Sequence, residues 1–161
     1  MNQEIIIRNS KWQNGLYLMF YGGLGLFTLY ELFAEPHTGY WFRAYCLLLC
    51  IMLTVRSGKR IDDPSPKLIV SEQGIRIHPT VLWREAWSAE VFLPWDDIRQ
   101  TEMASFAVNT LKLHTQSGEC LQLNLDGLAV GRLRTFHRKL EALRQAAPEQ
   151  RVKLIARFQA A

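Results

Sequence analysis

The chain has 161 residues, 48% hydrophobic and 21% charged, with a formal net charge of +4, which allows one ordinary domain plus a small extra element. Three cysteines, Cys46, Cys50 and Cys120, form an odd set without paired spacing, and so argue against a disulfide framework and a secreted domain. The mean hydropathy of -0.06 conceals an asymmetry: residues 15–55 are almost free of charge, whereas the remainder reads as a polar globular domain.

Residues 1–60 read as a transmembrane helical hairpin. The first span, about residues 15–33, carries one charge near its end and approaches the roughly 20 residues that cross a hydrocarbon core. The second, about residues 40–55, is shorter and carries Arg43 near its start, where a long side chain can snorkel to the headgroups. Trp12 and Tyr17 at one interface, and Tyr30, Tyr40 and Trp41 at the other, match the depth that amphipathic rings prefer. Pro36 and Gly39 mark a tight turn between the spans. A signal peptide is a poorer description, because no small-residue cleavage site follows and a second span comes soon after. A soluble core hairpin is poorer still, because nothing else in the chain could cover two helices apolar on all faces.

Arg8 and Lys11 precede the first span, and Arg56, Lys59 and Arg60 follow the second. By the positive-inside rule both termini then lie in the cytoplasm, so the expectation is a multi-pass protein integral to the lipid bilayer of a bacterial inner membrane. Gly22, Gly23 and Gly25 let a second helix approach closely, either within the hairpin or in a homo-oligomer. Cys46 and Cys50 share one helical face without further ligands nearby, so they read as packing residues.

Residues 61–66 form a Pro-containing linker, and strand signals start at once beyond it. Lys67–Ser71 and Ile75–His78 flank Glu72-Gln73-Gly74 as a β-hairpin. An irregular stretch from Pro79 to Glu90 holds Trp83 and Trp87. Val91–Trp95 resumes strand character, and a strand from Asp97 to Met103 continues past a kink at Pro94. Asn109–Thr115 alternates, with Leu111 and Leu113 on one face and Lys112 and His114 on the other; after a turn at Gln116–Glu119, Cys120–Leu125 alternates again. The period then changes. Leu133, Phe136, Leu140 and Leu143 define one face of a helix of about 16 residues that Pro148 is expected to close. Residues 148–161 form a basic tail that can add an amphipathic turn or two through Val152, Ile155 and Phe158.

This order, Leu68-x-Val70-x-x-x-Gly74-Ile75, then Leu93-Pro94-Trp95-x-x-Ile98, paired alternating strands, and Asp126-Gly127-Leu128 leading into a Leu-rich helix, resembles the bacterial pleckstrin-homology-like domains. It resembles in particular the small membrane proteins that place two spans ahead of such a domain. The resemblance implies an α+β fold: a transmembrane hairpin followed by an antiparallel β-barrel or sandwich over residues 67–147, capped by the amphipathic helix. It does not imply phosphoinositide binding, since no dense basic cluster occupies the first strand turn.

The four histidines are dispersed over different elements, with no H-E-x-x-H or C-x-x-C spacing, no phosphate loop and no nucleophile–base order. Asp96 and Asp97, if on a strand, would point to opposite faces. No enzymatic activity, metal or cofactor is expected. Nucleic acid is also disfavoured: the pI is about 9.1, but the basic residues lie in a C-terminal helix with no recognition motif. Arg132, Arg134, Arg138, Lys139 and Arg144, opposed nearby only by Glu141, are either a solvated helix face or a surface for anionic headgroups or an acidic partner. Trp83 and Trp87, four apart, either cover a mouth of the sheet or contact the membrane or a partner. Trp95 reads as core. The functions expected are a membrane-anchored protein-interaction or scaffolding module with an unidentified partner, or a protective protein that neutralises a membrane-acting toxin.

Overall fold

The structure, a computed structural model, describes residues 4–34, 39–82, 89–104 and 109–159. It divides into two compact units: Asn9–Pro64, and Met1–Arg8 together with Ser65–Ala161.

The first unit is an antiparallel pair of long helices, α1 (Lys11–Ala34) and α2 (Tyr40–Asp62). Both are long and apolar enough to cross a membrane. Large apolar side chains point away from the pair, with Phe33 79% and Trp41 84% exposed. The helices come close at Gly25, where a Cβ would lie 3.3 Å from the Cβ of Cys50. Gly22 and Gly23 make no such approach, since a Cβ at either meets nothing within 4 Å. Near the turn, Arg43 donates to the Glu31 carbonyl at 3.1 Å and lies 3.9 Å from its carboxylate. Thus the two charges flanking the turn face each other across the hairpin. Helix α2 runs on to Asp62, seven residues beyond the expected span, because the next proline after Pro36 is at position 64. The residue before a proline is pushed out of the helical region, and Asp63 accordingly has φ -83° and ψ 104°.

The second unit contains two antiparallel sheets. Strands β1 (Ile5–Ile7), β2 (Leu68–Val70), β3 (Gly74–Ile77) and β4 (Val91–Pro94) form one in that spatial order. Strands β5 (Ile98–Ala104), β6 (Thr110–Thr115) and β7 (Cys120–Asn124) form the other. The expected closure into a barrel does not occur among the described residues; an isolated bridge between Leu82 and Leu123 links the sheets. Strand β1 lies within residues 1–60, ahead of the helical hairpin. The run Ile5-Ile6-Ile7 lies ahead of the helical hairpin yet pairs with β2 beyond it, Ile5 opposite Val70 and Ile7 opposite Leu68.

Helix α3 (Leu133–Gln145) buries Phe136, Leu140 and Leu143, as its periodicity predicts. Pro148 does not close this helix. It opens a further one, α4 (Pro148–Gln159), at the first-turn position where a missing N–H and a fixed φ suit a helix start. Ile155 of α4 is fully buried, whereas Val152 is 37% exposed. Both sheets and both helices share one core that includes Leu68, Ile75, Trp95, Leu113 and Leu140.

Tight turns set the strand order. A Cβ on Gly74 would collide with the Leu93 carbonyl oxygen, so this close approach of β3 to β4 admits only glycine. Gly127 has φ 75°, and beside it Asp126 accepts from the Asn109 backbone and side-chain amides at 3.1 and 2.8 Å. Asp96 and Asp97 lie in a 3₁₀ turn, Trp95–Asp97, not on a strand, because Pro94 ends β4.

Candidate functional site

Trp95 anchors the β4–β5 junction. It is 2% exposed, and its indole N–H donates to the Ser71 carbonyl at 2.9 Å, which satisfies the one polar atom that burial would otherwise strand. Arg151 of α4 lies over it, with the guanidinium carbon 5.9 Å from the ring centre. The Arg151 Nε donates to the Leu143 and Ala146 carbonyls at 3.1 and 3.0 Å, so it caps the C-terminus of α3. Its terminal nitrogen reaches Asp96 at 3.5 Å. In the sequence Arg151 is one more charge of a basic tail; in the fold it is a buried fastener between α3, α4 and the Trp95 turn.

A second polar cluster joins α3 to β5. The register of β5 against β6 shifts between Ile98 and Gln100, which turns both Ile98 and Thr101 inward. The Thr101 hydroxyl donates to Glu141 and lies 2.8 Å from His137 Nε2. A threonine has one hydroxyl proton, already given to Glu141, so His137 Nε2 is the donor in the second contact. Arg144 holds the other Glu141 oxygen through Nε and Nη2 at 3.0 and 2.9 Å, and its Nη1 donates to the Arg99 carbonyl at the bulge at 3.1 Å. Burial alone would raise the pKa of Glu141; the donors from Arg144 and Thr101 and the Arg144 charge outweigh it and hold the carboxyl below its ordinary value. A nucleophilic hydroxyl needs a base and an approach for substrate. Thr101 is 6% exposed and faces the helix, so this constellation fastens α3 to the sheet.

These contacts divide the basic residues singled out from the sequence. Arg132, Arg134 and Arg138 are exposed. Arg144 is bound up with Glu141 and Arg99. Lys139 is half-buried, its Nζ 5.1 Å from the centre of the Phe158 ring and 3.5 Å from the Phe158 carbonyl. Trp83 and Trp87 lie outside the described residues.

A further feature carries little signal in the sequence. A cleft of about 390 Å³ opens between β1, the segment Ala129–Gly131, α3 and the end of α4. Its floor is core: Ile7, Val70, Phe136, Leu140 and Leu143. Arg132, Thr135 and Lys139 supply its polar lining. Hydrogen bonds frame it, with the Ala129 backbone N–H donating to the Arg8 carbonyl at 2.8 Å and the Gln159 side-chain amide donating to the Glu4 carbonyl at 2.6 Å. The only sequence signal was the β-branched run Ile5–Ile7, too short to show a period. Among the described residues no group of three or more His, Cys, Asp or Glu side chains could hold a metal ion. Comparison of the chain with protein-family models, curated proteins and solved structures finds no match.

Proposed function

We propose that this chain is a membrane-anchored binding module without catalytic activity. In this view α1 and α2 cross a bacterial inner membrane, both termini are cytoplasmic, and a pleckstrin-homology-like domain presents a surface to a protein partner. The observation that carries the reading is the pairing of β1 with β2. A strand before the hairpin and a strand after it are neighbours in one sheet, so a chain that enters the bilayer at α1 has to return to the same side after α2. The cationic flanks Arg8, Lys11, Arg56, Lys59 and Arg60 favour the cytoplasm as that side. The outward-facing apolar side chains of the hairpin suit lipid and would be an aggregation hazard in water.

The domain reading is supported by four strands, then three, then a helix packed on both, and by the burial of Leu68, Val70, Ile75, Trp95, Ile98 and Leu128, the residues on which the resemblance rests. A binding role is favoured because the polar clusters that look most like chemistry are occupied in fastening helices, while Arg132, Arg134 and Arg138 remain exposed.

Cys120 is exposed on β7 and provides the test. With Cys46 and Cys50 changed to serine, a membrane-impermeant maleimide should label Cys120 only after spheroplasts are permeabilised. Labelling of intact spheroplasts would reverse the orientation. A photo-crosslinker at position 134 or 138 should give one discrete protein adduct that the same group at exposed Gln122 does not; the same adducts from all three positions would remove the binding surface from α3.

A further inference from the structure

We propose that the cleft between β1 and α3 binds a single-chain anionic amphiphile of the fatty-acid type, with its tail on the apolar floor and its acidic head at Arg132 and Lys139. This rests on the membrane-anchored reading above and names the ligand class of the same domain.

The volume comes first. At about 390 Å³ the cleft falls within the range of roughly 300–1,000 Å³ in which proteins hold small ligands. Lining chemistry then narrows the occupant. Among the described residues that line it there is no Asp, Glu, Asn or Gln. A ligand with a polar body, such as a sugar or a nucleobase, would therefore lose its water without gaining partners along the floor. A hydrocarbon tail loses nothing there.

The charged lining has one sign. Among the described lining residues Arg132 and Lys139 are the ionisable groups, and they lie seven residues apart, about two turns along α3. Arg132 is also the residue that precedes the first turn of α3, and its side chain makes no capping hydrogen bond. The partial positive charge of that helix end therefore adds to the two cations. Lys139 is held across the Phe158 ring, and its contact with the Phe158 carbonyl, at 3.5 Å, is at the long limit for a hydrogen bond. A carboxylate entering the cleft would offer it a shorter, charge-assisted one. A cationic or neutral amphiphile would fit the floor equally and fail at the rim.

The test uses the full chain in phosphatidylcholine nanodiscs with a diazirine-bearing palmitate as probe and mass spectrometry of the adducts. Recovery in the nanodisc fraction reports on the anchor; the position of the label reports on the cleft. The expected result is label on β1 and on residues 129–140, competed by excess palmitate and spared by hexadecyltrimethylammonium. Arg132→Gln with Lys139→Gln should weaken that competition about tenfold or more, the loss expected for a hydrogen bond to a charged group. Thr135→Trp, at an exposed lining position, should block labelling with both charges intact; melting by circular dichroism confirms that each variant is folded. Label confined to residues 11–62, equal competition by the cationic surfactant, or labelling that survives Thr135→Trp would each overturn the proposal while leaving the anchored module standing. A chain that does not enter nanodiscs but still takes the label on residues 129–140 would remove the anchor and keep the site.

Discussion

Between residues Asn9 and Pro64, side chains as large as Phe33, Trp41 and Phe42 face outward, while a glycine and a cysteine, Gly25 and Cys50, bring the helices close together. In the sheet unit, Leu68, Ile75, Leu113 and Leu143 are fully buried, and outward positions of its strands carry Arg76, Glu102 and Gln122. The two regions differ little in their apolar vocabulary and oppositely in where they put it. A helix in lipid gains nothing by hiding leucine from its solvent and packs through small residues; a sheet in water gains most of its stability by hiding it. Polar side chains follow the same division. The hydroxyls of Thr28 and Thr54 in the hairpin bond along their own helix, to the Leu24 and Cys50 carbonyls, and Arg43 crosses to Glu31 only near the turn. Polar side chains of the sheet unit tie separate elements together, as Trp95, Thr101 and Arg151 do.

The contrast can be broken or sharpened by substitution. The largest effect is expected at Trp95: its change to alanine should cost the sheet unit about 3–5 kcal/mol and leave membrane extraction behaviour unaltered. Chemical unfolding of the two units, followed separately, would show whether the loss spreads to the hairpin. Arg151→Met retains apolar bulk over Trp95 but removes the cap on α3, and should cost about 3 kcal/mol, read as a lowered unfolding midpoint. In the hairpin, Gly25→Leu should force α2 away and cost about 1–3 kcal/mol, whereas Gly22→Leu should be tolerated within the pair. Spin-label distances between the helices distinguish the two, and equal displacement by both would show that Gly25 is no closer to α2 than Gly22. The smallest effect is electrostatic. Glu141 has a lowered pKa in the folded state, so its contribution is present above the ordinary carboxylate value and is lost as pH falls through the lowered one. The stability of the wild type should decline on acidification more steeply than that of Glu141→Gln, by under about 1 kcal/mol because the pair is partly exposed.

Much of this architecture was legible in the residues. Alternation placed β6 and β7 and assigned Leu111, Leu113, Leu121 and Leu123 to the interior, because a strand with one wet face writes its burial into a period of two. Spacings of three and four did the same for α3. Strand β1 was not legible. Three isoleucines have no period, and their partner, β2, is separated from them by the whole helical hairpin. Nor was the bulge at Arg99, which exists only in the register between two strands.

The candidate site shows the same limit more sharply. A run of arginines and lysines reads as one basic surface, since charge is all that a sequence reports of them. Only packing separates Arg151 and Arg144, whose guanidinium groups satisfy carbonyls at a helix end and a bulge, from Arg132 and Arg138, which face solvent. By itself the sequence determined which segments suit lipid and which face of each strand or helix is apolar, because those follow from local composition and period. The tertiary structure decided that Ile5–Ile7 adds an edge strand beside β2, which charges are consumed as fasteners, and that a cleft remains between β1 and α3. Each of these depends on contacts between residues far apart in the chain, and no local pattern encodes them.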